Sequence, residues 1–298
     1  MLFGYFYWDP DRALFNIDLP FLERPILWYG FLFAMGFFIA YWLLVYLLRN
    51  YFLHHCQGDR LAIMQPGKEA RDVAEKLTLY AIVGTIIGAR LGDVLFYQDW
   101  AALMRDPLSA IRIWEGGLAS HGGAIGILIG IIYAGRALRQ TYPFLSWIRI
   151  LDLIALPTLL AASCIRVGNF INQEILGKST TLPWAVVFGH PADGSAALPR
   201  HPVQLYEACA YLLIFSILIA GWKRGICREG KMSGLFLIAT FLARFLLEFL
   251  KEEQSVYLTA ESLLSMGQIL SIPFLLLGGW LFFQSRDQSF DPVGIKRG

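Results

Sequence analysis

Several ionisable and amide side chains in this sequence interrupt long apolar stretches, and their types suit acid–base and anion chemistry. His121 lies in Ser120-His121-Gly122-Gly123, ahead of Gly126 and Gly130. An imidazole titrates near neutrality and can serve as a general base. Arg166 opens the polar stretch Arg166-Val-Gly-Asn-Phe-Ile-Asn-Gln-Glu-Ile-Leu-Gly177, which also carries Asn169, Asn172 and Glu174. A guanidinium is a rigid fork of donors for phosphate, and asparagine amides can donate to phosphate or ester oxygens. Arg244 and Glu248 stand at i, i+4, on one helical face where they can pair. Each group also has a structural alternative: a histidine bonded at a helix interface, an arginine snorkelling to the membrane surface, an ion pair between helices.

Other polar positions favour the structural side. Arg90 and Asp93 form an i, i+3 pair that reads as an internal brace. Leu198-Pro-Arg-His-Pro-Val-Gln-Leu-Tyr-Glu207 leads into an apolar segment, with prolines suited to a helix start. Gln204 and Glu207 there share a face, and His201 reads as a loop histidine. Tyr29 in Leu-Trp-Tyr-Gly has the position of an interfacial aromatic. There is no metal-binding motif, phosphate loop or nucleophile elbow, so the expected chemistry uses arginines and a histidine with no metal or cofactor. Cys56, Cys164, Cys209 and Cys227 show neither zinc-site nor disulfide spacing. A net charge of +2 without a long basic run argues against nucleic acid.

The elements that must hold these residues are membrane helices. The chain is 56% hydrophobic and 16% charged, against roughly 25% charged for globular proteins. About 20 mostly apolar residues cross a bilayer. Seven segments qualify: 26–48, 79–97, 117–134, 150–167, 203–222, 232–250 and 263–283. The expected fold is an all-α integral membrane protein, a single polytopic domain over 1–298. A small extracytoplasmic unit, 168–202, separates spans four and five. The first span reads as uncleaved, since no basic start or small-residue cleavage site accompanies it. No internal repeat supports an inverted-repeat transporter.

Lys and Arg set the orientation. Fifteen lie in the loops after spans one, three and five and in the tail; eight lie on the other side, and Arg90 and Arg244 are within spans. The bias places the N-terminus outside and the C-terminus in the cytoplasm. On that topology Tyr29, Arg90, Asp93, His121, Arg166, Glu207, Arg244, Glu248 and Gln268 all fall within roughly 10 Å of the outer boundary, at 1.5 Å per helical residue. Asp152 is the exception, near the inner end of span four. Intramembrane charges are costly and normally mark function.

At these residues the sequence resembles the bacterial prolipoprotein diacylglyceryl transferases, over nearly its whole length. The stretch from Arg166 to Gly177 is the most specific match. His121-Gly-Gly, Leu-Trp-Tyr-Gly, Gly-Ala-Arg-Leu-Gly with Val-Leu-Phe-Tyr, Leu-Pro-Arg-His-Pro with Gln-Leu-Tyr-Glu, Ser-Gly-Leu-Phe-Leu-Ile and Met-Gly-Gln-Ile-Leu-Ser-Ile-Pro match in order. The resemblance implies transfer of the diacylglyceryl group of phosphatidylglycerol to the lipobox cysteine thiol in a prolipoprotein signal peptide, in the bacterial inner membrane. The products are a thioether and glycerol phosphate, the first step of lipoprotein maturation. It also implies that His121, Arg166 and Arg244 are important for activity, and that Tyr29, Asn169, Glu174, Gly177 and Glu248 carry the site beside the neighbouring Asn172. On this reading Glu248 holds Arg244. Ile165, Ala89 and Thr240 depart from the family pattern, and the loop at 49–77 is long. Thr240 replaces a tyrosine often linked to function. The alternatives are a lipid-binding or transport protein with an outward-facing polar site, and an intramembrane protease, which the lack of a nucleophile–base pair disfavours.

Overall fold

A computed structural model describes residues 4–15, 25–55, 65–96, 98, 100–112, 119–225, 228–252 and 264–285. Cys56 and Cys227, and the basic residues of the tail, lie outside the described residues. In chain order the elements are β1 (Phe6–Trp8), β2 (Ala13–Phe15), β3 (Ile26–Leu27), α1 (Trp28–His55), α2 (Pro66–Phe96), α3 (Trp100–Arg105), α4 (Ser120–Thr141), α5 (Trp147–Ile171), β4 (Val186–Phe188), β5 (Pro199–Arg200), α6 (Val203–Lys223), α7 (Lys231–Leu247) and α8 (Met266–Phe283). Seven of the helices, all but α3, are long and apolar enough to cross a membrane, and they match the seven expected spans. Two run well past the apolar segments. α2 begins at Pro66 rather than near residue 79, and α1 continues to His55. The loop expected at 49–77 is therefore mostly helix. Ala70, Val73, Ala74 and Leu77 are buried at helical spacing, while the charged residues between them lie on other faces.

The chain divides into two compact units, Met1–Leu43 with Asp152–Gly298, and Leu44–Leu151. In the second, α2 and α4 meet backbone to backbone. A methyl group built on Gly84 would collide with the Gly126 carbonyl, and one on Gly126 with the Gly84 carbonyl. Gly88 and Gly122 exclude each other's side chains in the same way, and Gly92 lies against the Gly122 Cα. Apolar lipid provides no hydrophobic drive between helices, so close packing of small residues must hold the pair. The same unit explains Arg90. Its Nε donates to the Ala110 carbonyl at 2.9 Å, its Nη2 donates to the Ser109 carbonyl, and its Nη1 is 3.2 Å from Asp93. Gln98 also donates to Asp93, at 2.8 Å. The pair thus fastens the 3-10 turn Pro107–Ile111 to α2, the internal brace read from the spacing.

In the first unit, α5 leads into a small sheet. β1 runs parallel to β4, and β4 antiparallel to β5. Phe170, Leu176, Val186 and Phe188 form its core, with Trp8 and Leu205 packed against it. Asp152 also finds its role here. Its carboxylate accepts from Gly230 N and Ser233 N, each at 2.8 Å, and from Ser233 Oγ at 2.7 Å. Gly230 is the residue before α7 and has no side chain to cap the helix; its φ is +86°. Asp152 therefore caps α7 from α5, satisfying amides of the first turn and placing an anion at the positive helix end.

Replacing Gly126 by valine should lower the thermal midpoint in detergent, since overpacking typically costs about 1–3 kcal/mol. Gly279→Ala is the control: nothing lies within 4 Å of its added methyl, and helix propensity favours alanine by about 1 kcal/mol. Equal destabilisation by both would refute the packing account. Asp152→Ala should lower the midpoint as well, because two buried amides and a hydroxyl lose their acceptor, at about 1–3 kcal/mol each for unsatisfied buried groups. An unchanged midpoint would remove Asp152 from the capping role.

Candidate functional site

The last two turns of α5 deliver Arg166 and Asn169 to one end of the helix, and the chain then turns sharply. Gln173 and Ile175 adopt positive φ, +57° and +55°. Between them Glu174 is turned back onto α5. Its amide donates to the Asn169 carbonyl at 2.9 Å, and its carboxylate accepts from Asn169 Nδ2 and Asn172 Nδ2, each at 3.0 Å. Asn169 Oδ1 in turn accepts from Arg166 Nη1 at 3.1 Å. Gln204 of α6 donates to the Glu174 carbonyl at 2.6 Å. Tyr29, in the first turn of α1, packs its ring on Gly168, where an added methyl would lie 2.9 Å from Cδ2. Its hydroxyl faces Asn169, with Glu174 and Arg166 nearby.

The electrostatic centre is a residue the sequence reading left out of the site. Glu207 of α6 has a side chain with no solvent exposure, and three cations surround it. Arg166 Nε lies 2.9 Å from Oε2, Lys251 Nζ 2.9 Å from Oε1, and Arg244 Nη1 3.9 Å from Oε1. The Arg166 contact is an ion pair without hydrogen-bond alignment, so Oε2 has no hydrogen-bond donor among the described residues. Glu248 pairs with Lys251 at 3.1 Å. The close partner of Glu248 is thus the i, i+3 lysine, while Arg244, expected to pair with it, interacts with it electrostatically and makes its ion-pair contact with Glu207. Glu248 also lies against Gly267 in the first turn of α8, where an added methyl would strike its carboxylate.

Backbone pairing fixes these elements together. Residues 176–178 run between 200–201 and 250–252. Lys178 N donates to the Leu250 carbonyl at 2.8 Å, Glu252 N to Leu176 at 3.1 Å, and His201 N to Lys178 at 3.0 Å. Gly177 must be glycine, because a methyl would collide with the His201 carbonyl. Arg200 donates to the Gly177 carbonyl at 3.2 Å and pairs with Glu252 at 2.9 Å. His201 Nδ1 lies 3.4 Å from the Tyr206 hydroxyl, in keeping with a loop role.

The structure thus gathers Tyr29, Arg166, Asn169, Asn172, Glu174, Gly177, Arg244 and Glu248 in one unit. His121 lies in the first turn of α4, and its side chain lies outside what is described. Thr240 is buried, with its hydroxyl lacking a hydrogen-bond partner among the described residues. Glu207 and Lys251 are the additions. A carboxylate in an apolar span must be paired to remain charged, and that cost was the available signal for Glu207. Lys251, three residues beyond Glu248 and seven beyond Arg244, shared their face. Arg166, Arg244 and Lys251 face the carboxylates of Glu207 and Glu248, and the Glu174 carboxylate is joined to Arg166 through Asn169. Arg244 is the most exposed of the cations and the farthest from Glu207, and it also meets the Tyr211 hydroxyl.

A family profile described as "Prolipoprotein diacylglyceryl transferase" matches residues 15–284. The chain is similar to proteins named phosphatidylglycerol–prolipoprotein diacylglyceryl transferase from several bacteria. The one from Protochlamydia amoebophila is 34% identical, covering 95% of this chain and 96% of the relative. The one from Chloroherpeton thalassium is 40% identical, with 96% of each covered. The one from Tolumonas auensis is 39% identical, covering 91% and 94%. With nine-tenths of its length matched, the chain belongs to the prolipoprotein diacylglyceryl transferase family.

Proposed function

We propose that this multi-pass bacterial membrane protein transfers the diacylglyceryl group of phosphatidylglycerol to the lipobox cysteine of prolipoprotein signal peptides. The observation that carries the reading is the cluster of Arg166, Arg244 and Lys251 around Glu207, in which two guanidinium forks are held close together with Arg244 the most exposed cation. Such forks suit the oxygens of a phosphodiester. The whole chain acts as one polytopic domain of the inner membrane, with the N-terminus and the 168–202 unit outside and the C-terminus in the cytoplasm. The Lys and Arg bias supports that orientation.

The reaction is a displacement at carbon. A cysteine thiol, with ordinary pKa about 8.5, is a weak nucleophile until deprotonated. His121 takes the proton, directly or through water. The thiolate attacks the glycerol carbon that bears the phosphate; the C–S bond forms as the C–O bond breaks. Glycerol phosphate leaves with the bonding electrons, and the diacylglyceryl thioether remains on the peptide. Negative charge grows on the departing oxygen, where Arg166 and Arg244 stabilise it more strongly than bulk water could. Asn169 and Asn172, anchored on Glu174, orient the head group. Tyr29 offers a hydroxyl, Gly177 admits the close backbone approach, and Glu248 holds Lys251 beside the cluster.

The deciding assay mixes purified protein, phosphatidylglycerol and a lipobox peptide, and weighs the peptide by mass spectrometry. A mass gain of one diacylglyceryl group is expected; a folded sample giving none would sink the reading. His121→Ala and Arg166→Ala should abolish transfer at normal protein level, and a fully active His121→Ala would remove the base assignment. Arg244→Lys keeps the charge but loses the fork, so turnover should fall about 100-fold. Near-normal turnover there would make Arg244 purely structural.

A further inference from the structure

Glu174 is held between two residues in a backbone region that side chains seldom occupy. Such a conformation persists only where its surroundings over-determine it. The surroundings here come from the N-terminal segment. Gln173 is 1% exposed, and both ends of its amide are used. Nε2 donates to Asp9 Oδ1 at 3.1 Å, and Oε1 accepts from His190 N at 2.7 Å. Its own carbonyl accepts from Ala192 N at 3.0 Å. The same Asp9 oxygen meets His190 Nδ1 at 2.7 Å. Arg12 donates to the His190 carbonyl at 2.8 Å, and Gly189 N to Trp8 at 3.0 Å. Trp8 stacks on Phe170, with ring centres 4.8 Å apart, and donates from Nε1 to the Phe170 carbonyl at 3.1 Å. The segment that carries Trp8 and Asp9 therefore grips the chain on both sides of Asn169 and Glu174.

We infer that Asp9 and Gln173 are positioning residues: the N-terminal strand, through the Gln173 amide, fixes the turn that sets Glu174, and through Glu174 and Asn169 the guanidinium of Arg166. The relay runs Asp9 to Gln173, along one peptide bond to Glu174, then by side-chain bonds to Asn169 and Arg166. Its catalytic consequence rests on the transferase reading above; its mechanical part does not. Neither Asp9 nor Gln173 touches the substrate in this account.

The test uses the full-length protein in detergent with two readouts. One is amide hydrogen exchange over residues 170–176, which needs no activity. The other is transfer from phosphatidylglycerol to a lipobox peptide. Glycine suits the positive φ of residue 173, so a role for the backbone alone predicts that Gln173→Gly is fully active. The relay predicts faster exchange and about a tenfold loss of turnover. Asp9→Ala should behave alike. Asp9→Asn should restore most of the rate, since its amide oxygen still accepts from Gln173. The double variant Asp9→Ala/Gln173→Gly should be no slower than the worse single one, as expected for residues sharing one interaction. Unchanged exchange in either single variant overturns the relay, as does full turnover in Gln173→Gly. A wild-type chain that transfers no lipid counts against the transferase alone, and the exchange data still decide the relay.

Discussion

A carboxylate without solvent exposure inside a membrane span is tolerable only if its charge is answered on the spot. Glu207 is answered three times, by Arg166 of α5 and by Arg244 and Lys251 at and just past the end of α7. Removing one partner of a buried pair typically costs about 3–5 kcal/mol, because the survivor is left charged and unsolvated. That penalty is shared between α5, α6 and the end of α7, so none of these elements can shift alone. The same arrangement lets three like charges stay close together, because Glu207 supplies the counter-charge between them.

The surrounding structure serves that constraint with backbone rather than with more charge. The 176–178 segment pairs with the start of α6 on one side and the end of α7 on the other. Lys251 is thereby delivered to Glu207 by main-chain bonds, and Gly177 is the point where the chains approach too closely for a side chain. Asp152 applies the same economy at the other end of α7, where one side chain caps the helix from α5. On α2 and α4 the glycine faces let the two backbones meet directly.

Much of this was legible in the residues themselves. Long apolar runs expose membrane helices because a bilayer demands about 20 such residues. The rule failed only where helices leave the apolar zone: the charged first turns of α2 follow helical periodicity, not a hydrophobic run. The polar stretch after Arg166 announced its own clustering, because Asn169, Asn172 and Glu174 are neighbours along the chain. Cross-helix partners were another matter. Spacing allowed Arg244 to pair with Glu248, yet a third group three residues on takes that carboxylate. Which of several charges meet across a bundle depends on helix rotation, which one sequence does not reveal. Gly126 and Gly130 advertised a close contact, but not that Gly84, Gly88 and Tyr80 would complete it. The positive φ of Gln173 left no mark in its residue type.

The claim that one buried anion organises the phosphate site is tested most directly at Glu207 itself. Glutamine keeps the size and removes the charge. The measurement is the rate of diacylglyceryl transfer by Glu207→Gln at saturating phosphatidylglycerol, taken with its thermal midpoint. The account predicts that Arg166 and Arg244, left without the carboxylate between them, repel each other and Lys251, so the midpoint falls and transfer drops by about 100-fold or more, as when an aligned charge contact to the transition state is lost. A Glu207→Gln protein with wild-type stability and wild-type rate would contradict it.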